Sequence, residues 1–553
     1  MISARLSALG LLVFGLSWLA YDHYRPWASF HSEALACAGL LFLFAGQLAR
    51  PGPLQVPAIA RWLLLAALAP WLWWAVGIGL FAGDALLCSM YLLAVAAAVC
   101  VGYRWAQPAS EWLYALAWFT ALVAGLSATI GLLQWLQLSG PFGMYMVQSD
   151  PGDRAMGNIG QPNQLGTLLL MGVAALLLLF EARRLGRLAF AVCVAYLTMG
   201  LVLTSSRAAL LSVVVVTGFL LSKKAHLRMR PAALLGWALA ALSASLMLPW
   251  VAQALLISEG RGLVSMAYNA DRTEIWAQVL AGILQSPWMG HGWNQTPTAH
   301  VAGAWAVPGT LTYGYAHNLV LDLMAWNGAV FGLLWAGLLA WWLASRMVAV
   351  RVPAAIAALA GLLPLAVHSM VEHPFTYAYF LVMGGLLAGV VEAFHVGARH
   401  VQWPRRWALA LAMPWAAAGA YVCHEYLLIE EDFRIVRFEN LRIGQTPADY
   451  VVPQIHLLSH MGAMLHAARL RPEPGMAQAD IERLRRVTLR FPWSPLHLRY
   501  AFVLALNGDP QGAARQLHQV RAMFGVVYYD AARLELSALE QRYPQARGVL
   551  ELL

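Results

Sequence analysis

From Leu6 to about Tyr421 the chain is a succession of apolar runs, each of about 17–25 residues, separated by short polar segments. A helix rising 1.5 Å per residue crosses a hydrocarbon core with about 20 residues. The pattern predicts spans at roughly 6–21, 34–49, 62–81, 84–102, 112–136, 164–181, 188–204, 208–222, 232–251, 317–345, 354–372, 378–396 and 407–424. The runs are too many and too long for a cleaved signal peptide, so the first is read as a retained helix. The predicted fold class is therefore all-α, a polytopic membrane protein of about 12–13 transmembrane helices.

Two intervals are too long for simple turns, at about 138–163 and 252–316. Long segments of this kind are usually functional or disordered. In the second, Asp271 at an N-cap position with Glu274 three residues on opens an amphipathic helix that Ser286-Pro287 would end. After about Glu425 the composition becomes that of a soluble chain. There, RRVTLRFPWSPLHLRYAFVLALNGDPQGAARQLHQV has a helix, an Asn507-Gly508-Asp509-Pro510 turn and an Ala-rich second helix, similar to a tetratricopeptide-type unit. The expected division is a transmembrane domain over 1–424, including both long loops, and a small soluble helical domain over 425–553.

Composition supports this reading. The 553 residues are 60% hydrophobic and only 11% charged, against roughly a quarter charged in soluble domains. The net charge of +9 does not indicate nucleic acid, because the basic residues sit in short clusters between apolar runs. With the N-terminus in the cytoplasm, the inner side receives Arg5, Arg50, Arg61, Arg104, Arg183, Arg184, Arg187, Lys223, Lys224, Arg228, Arg230, Arg346, Arg351, Arg399, Arg405 and Arg406. The outer side receives only Arg25, Arg154, Arg207, Arg261 and Arg272. The long loops are therefore expected to form a structured periplasmic cap, with the tail also on the outer side. The five cysteines have no CxxC or Cys/His spacing, so neither a disulfide framework nor a zinc site is expected.

Outer arginines run against the topological bias. Arg207 in TSSRAALLS lies where a span begins, and Arg272 in DRTEIW opens the amphipathic helix. Each is either an interfacial or locally paired residue, or a guanidinium fork that grips phosphate oxygens. His317 in YGYAHNLVLDLM stands at the outer end of a span, followed by Asn318 and Asp322. It is either a packed boundary residue or a base for an incoming hydroxyl. GNIGQPNQLG (157–166) gathers Asn158, Gln161, Asn163 and Gln164 before a very apolar helix, as a capped turn or as amides that recognise sugar hydroxyls. HSMVEHPFTYAYF (368–380) puts His368, Glu372, Tyr377 and Tyr379 at the end of another span, with His368 and Glu372 four residues apart on one helical face.

In this order and spacing the segments resemble the bacterial O-antigen ligase/polymerase superfamily. That pattern has an outer Arg after a span, a large loop with a second Arg, and His-Asn opening the next span, here Arg207, Arg272 and His317-Asn318. The ligase form continues with Gly, two residues, then Gly, Thr or Tyr; this chain departs from it, with Phe331 at that position after Gly328 and Gly332 one later. GNIGQPNQLG and the 368–380 segment are similar to signatures of the protein-glycosylating branch, the pilin-type O-oligosaccharyltransferases. The resemblance covers roughly 130–395.

The resemblance implies en bloc transfer of a glycan from a polyprenyl-pyrophosphate carrier to a Ser or Thr hydroxyl of an exported, pilin-like protein, without metal or other cofactor. Arg207 and Arg272 would stabilise the pyrophosphate leaving group, and His317 would orient or deprotonate the acceptor. Asn158, Gln161, Asn163, Asn318, His368, Glu372, Tyr377 and Tyr379 would help hold the substrates, with the lipid chain in a groove between spans. Transfer to lipid A–core and glycan polymerisation remain as alternatives with the same catalytic logic. A transporter predicts ionisable residues near mid-span, and Asp322 and Glu372 keep that reading open.

Overall fold

A computed structural model describes residues 1–21, 23–107, 110–257, 270–395, 397 and 399–553. Positions 258–269 of the expected 252–316 loop, Arg261 among them, lie outside the described residues. The described chain is helical apart from one two-stranded ribbon. Eight of its helices have the length and apolarity to cross a membrane, and four shorter apolar helices accompany them. The chain divides into two compact units, each built from three stretches.

The first unit comprises Met1–Ala66, Met90–Tyr268 and Leu339–Ala417. It opens with α1 (Ile2–Leu19) and α2 (Phe30–Leu48), an antiparallel pair in close contact. Glycine allows that approach, because a Cβ on Gly39 would lie 2.7 Å from the Phe14 backbone nitrogen. Strand β1 (Leu54–Pro57) pairs antiparallel with β2 (His400–Trp403), Leu54 opposite Trp403. Helix α3 is Ala58–Ala66, and α5 (Ala82–Trp105) and α6 (Trp112–Trp135) follow as long apolar helices.

Helix α7 (Pro162–Glu181) is the axis of this unit. It is apolar on every side, and from Asn163 to Glu181 all but one residue is buried, as expected of a helix surrounded by others. Around it pack α6, α8 (Arg187–Leu203), α9 (Arg207–Ser222) and α14 (Pro353–Ser369). Helices α10 (Pro231–Ala254) and α15 (Ala378–Ala393) complete the set.

The second unit comprises Ala67–Ser89, Asn269–Leu338 and Ala418–Leu553. The predicted span at 62–81 corresponds to Ala58–Ala75, one of the eight candidate spans, in which a turn divides α3, ending at Ala66, from a separate helix α4 over Ala69–Ala75. The predicted amphipathic helix forms as α11 (Ala270–Gln285), ending where Ser286-Pro287 removes the next helical bonds. Helix α12 (Thr296–Gly303) packs on it, with Gly282 and Gly303 leaving the two backbones in contact.

Helix α13 (Leu319–Ala349) is interrupted at Gly328 (φ 81°). The segment after α11 enters that break: Ala329 N–H donates to the Pro287 carbonyl at 2.7 Å and His291 N–H to the Ala325 carbonyl at 2.8 Å. A Cβ on Gly328 would lie 2.4 Å from the Trp288 backbone. The glycine that the sequence presents beside a family motif therefore serves backbone approach.

The composition change near Glu425 does not end a helix, since α16 runs continuously over Arg405–Leu441. The tail beyond it holds α17 (Ser459–Arg469), α18 (Gln478–Arg490), α19 (Ser494–Leu506), α20 (Pro510–Phe524) and α21 (Val526–Arg542). The predicted turn forms between α19 and α20. Gly508 takes φ 87° and Asp509 caps α20, its carboxylate accepting from Gly512 N–H at 2.7 Å. This tail clasps the 270–316 segment within the unit. Gln519 Nε2 donates to the Val301 carbonyl at 2.9 Å, and Val301 and Ala304 pack with Val520, Met523 and Phe524.

Candidate functional site

In the first unit one of the predicted amides, Asn163, meets the start of α9. Leu203 ends α8, Ser205 takes a left-handed turn (φ 46°), and Ser206 caps α9, its hydroxyl accepting from Ala209 N–H at 3.1 Å. Arg207 is thereby the first helical residue, where the helix end already favours anions. Asn163 fixes this corner: its Oδ1 accepts from Ser206 Oγ at 2.6 Å and from Arg154 Nη2 at 3.1 Å. Arg154 Nε donates to the Thr204 carbonyl at 2.8 Å, so one guanidinium bridges the loop and the α8–α9 turn.

Two rungs join α7 to the end of α14. Asn163 Nδ2 faces Glu372 Oε1 at 3.4 Å, and one turn along, Thr167 Oγ1 meets His368 Nδ1 at 2.9 Å. Helix α14 stops at Ser369, so Glu372 lies beyond the helix, although its N–H still bonds the His368 carbonyl at 2.9 Å. The expected shared helical face is in fact a shared partner helix. Gln161 caps α7 through Gln164 N–H at 2.7 Å, and Gln164 Oε1 accepts from the Tyr379 hydroxyl at 2.7 Å. Tyr379 stacks on Tyr377 with ring centroids 5.4 Å apart, and Tyr377 stacks on His373. Burial pushes the Tyr377 phenol up to about 12, so it remains a neutral hydroxyl.

Several residues of this network carry no signature in the sequence. Gln134, buried in α6, holds the 147–157 loop by donating to the Val147 and Gly157 carbonyls and accepting from Met156 and Gly157 N–H. Glu33, buried in α2, accepts from Ser29, Trp27, Tyr91 and Ala378 N–H and so seats the start of α15 below Tyr377. Gln134 looks like an isolated polar residue in an apolar run, and Glu33 like part of the polar start of one, after His31 and Ser32. Arg154, by contrast, was detectable as an outer-side arginine. Asn158 is only 3% exposed, and its amide is spent on the Leu19 and Tyr145 carbonyls and Val147 N–H. It closes the loop, with both of its amide N–H groups engaged.

In the second unit, α11 organises the approach to His317. Trp276 Nε1 donates to the Ala316 carbonyl at 2.9 Å, one turn along α11 from Arg272. Glu274 accepts from Thr310 N–H at 3.1 Å, and Gln278 bonds the Val307 carbonyl and the Tyr313 hydroxyl. Arg272 and His317 are thus carried by one hydrogen-bonded assembly. His317 itself takes φ 54°, a strained conformation for a non-glycine residue and one that concentrates at functional sites. Asn318 caps α13, its Oδ1 accepting from Val320 and Leu321 N–H at 3.0 and 3.2 Å. Asp322 Oδ1 accepts from Thr296 Oγ1 at 2.6 Å and from the N–H of Ala316, the residue before His317, at 2.9 Å.

Three family signatures match the chain: "Protein glycosylation ligase" over 155–180, "O-Antigen ligase" over 191–336, and "Virulence factor membrane-bound polymerase, C-terminal" over 356–538. The first contains Gln161 and Asn163; the second contains Arg207, Arg272 and His317-Asn318. Among curated proteins, a general O-oligosaccharyltransferase of Acinetobacter baylyi is 27% identical, covering 96% of this chain and 95% of its own. A ComP-specific O-oligosaccharyltransferase of the same organism is 24% identical over 70% of this chain and 71% of its own. Asn163, the arginine-led helix α9 and the His317 corner all fall in the matched segments, through which this chain is similar to the O-antigen ligase superfamily and, within it, to the protein O-oligosaccharyltransferases.

Proposed function

We propose that this chain transfers a preassembled glycan from a polyprenyl-pyrophosphate carrier to a Ser or Thr hydroxyl of an exported, pilin-like protein. The observation that carries the reading is the seating of Arg207. It is the first residue of a helix whose cap is bonded to Asn163, inside the segment matched by the protein glycosylation ligases. The names of the two relatives, one aligned over 96% of this chain and the other over 70%, support protein O-glycosylation.

In this scheme the acceptor oxygen attacks the anomeric carbon, its proton passes to His317, and the carbon–oxygen bond to the phosphate breaks. The bonding pair leaves with the pyrophosphate, whose charge Arg207 and Arg272 stabilise without a metal ion. Preorganised donors of this type are each worth about 100–1,000-fold in rate. Gln161, Asn163, Asn318, His368, Glu372, Tyr377 and Tyr379 hold glycan or acceptor directly or fix the groups that do. For the lipid chain, the first unit offers an apolar cavity of about 770 Å³ lined by Leu170, Val194, Met199, Trp237 and Val251. Leu203, which also lines it, lies four residues before Arg207. The charge pattern supports a bacterial inner-membrane protein with a cytoplasmic N-terminus, and with the His317 and Arg207 sites and the tail on the periplasmic side.

The test is reconstitution with purified carrier-linked glycan, offering pilin and lipid A–core as separate acceptors in the presence and absence of EDTA. Glycosylated pilin that is unaffected by EDTA is expected. Transfer only to lipid A–core would overturn the choice of acceptor, and loss of activity in EDTA would overturn the metal-free scheme.

A further inference from the structure

At one end of the first unit, three arginines surround the segment Arg50–Pro53 that links α2 to β1. Arg104 donates from Nη1 to the Pro53 carbonyl and from Nη2 to the Pro51 carbonyl, both at 3.2 Å. Arg405 donates from Nε to the Gly52 carbonyl at 3.4 Å and from Nη2 to the Arg50 carbonyl. Arg50 donates from Nε to Ser3 Oγ at 3.2 Å. Among the described residues, none of the three meets a carboxylate. Burial, and then the charge of Arg104, pulls the Arg50 guanidinium below its ordinary range. Each guanidinium has five N–H donors, so most of them remain for another acceptor.

The ribbon beside this cluster closes an apolar cleft. Leu54 and Val56 of β1 and Trp403 of β2 line it, together with Ala60 of α3, Cys100 of α5 and Trp415 of α16. Leu54 and Trp403 are register partners in the ribbon, one residue from Pro53 and two from Arg405 respectively. A multi-cation corner and an apolar slot therefore share one short ribbon.

We propose that this corner is a binding site for an anionic glycerophospholipid, with its phosphate on Arg50, Arg104 and Arg405 and an acyl chain in the cleft behind the ribbon. A phosphate supplies the oxygen acceptors and negative charge that the three guanidiniums lack, and planar forks suit it. Basic pockets at the ends of membrane helices take such headgroups. The acyl chain matches a cleft whose lining side chains are apolar. The inference does not depend on the glycan-transfer reading.

The experiment is native mass spectrometry and thermal melting of the full chain in detergent, titrated with phosphatidylglycerol, with phosphatidylcholine of the same acyl chains, and with glycerol 1-phosphate. Phosphatidylglycerol adducts that persist and raise the melting midpoint are expected. Equal retention of phosphatidylcholine, or an equal effect of glycerol 1-phosphate, would overturn the proposal without any variant. Arg405→Gln should weaken phosphatidylglycerol binding roughly fivefold, and Arg50→Gln/Arg104→Gln/Arg405→Gln on the order of 100-fold, at unchanged phosphatidylcholine background. Wild-type retention by the folded Arg405→Gln protein would refute the headgroup assignment even if the triple variant does not fold.

Discussion

Asn163 Oδ1 lies 2.6 Å from the hydroxyl of Ser206, the residue that caps the helix opened by Arg207. An amide in one signature segment thus sets where the guanidinium of another begins. In the transfer reaction, Arg207→Ala is expected to lower turnover about 100–1,000-fold, and Arg207→Lys to restore little, because an ammonium cannot reproduce the fork. Asn163→Ala is expected to lose more than tenfold in kcat through displacement of the cap. In vitro transfer kinetics on membrane-inserted protein check this, and wild-type turnover in both alanine variants would remove the site.

Arg154 makes two bonds in different directions, one to the Thr204 carbonyl and one to Asn163. Arg154→Lys, which keeps the charge but can satisfy only part of this geometry, is expected to resemble Arg154→Ala in transfer rate. Full activity of the lysine variant would show that charge alone matters there.

The buried carboxylate of Asp84 accepts from Arg490 on α18 at 2.9 Å and from Asn294 and Gln295 at 3.0 Å each. Arg490→Met leaves that charge uncompensated and is expected to cost about 3–5 kcal/mol. Asp84→Asn/Arg490→Met is expected to recover part of the loss. Thermal unfolding of the two variants measures the difference, and equal midpoints would contradict the pairing.

Three buried histidines of the second unit make its stability acid-sensitive. Burial lowers His300 and His460 to about 4, and burial with the nearby His300 lowers His497 to about 3. Unfolded histidines titrate near 6.5, so between about pH 6.5 and 4 the unfolded chain binds protons that the folded chain does not. Stability should be unchanged above about pH 6.5, fall as the pH drops through 4, and level off below about 3. Each group contributes on the order of 3 kcal/mol. Melting midpoints across this range test the slope, and His497→Phe should flatten it. A midpoint that is independent of pH would refute the assignment.

What the sequence determined by itself was everything written in local periodicity and charge. Apolar runs define membrane helices because an unpaired backbone cannot stay in lipid. The Ser286-Pro287 stop of α11 and the Asn507–Pro510 turn are legible because Pro and Gly act on the backbone within a few residues. The arginines stood out because basic residues on the outer side run against the charge bias of membrane topology, and His317 because Asn318 and Asp322 follow it at the end of a span. Only the tertiary structure decided what each polar residue meets. It gave Asn158 to the Leu19 and Tyr145 carbonyls and Asn163 to Ser206. It made Gln134 and Glu33 organisers of loops that their neighbours in sequence do not announce. It also ran α16 through the composition change at Glu425, which the residue pattern alone reads as a boundary. The reason is physical: a hydrogen bond is fixed by which helices pack side by side, and those partners lie as far as 406 positions apart in the chain.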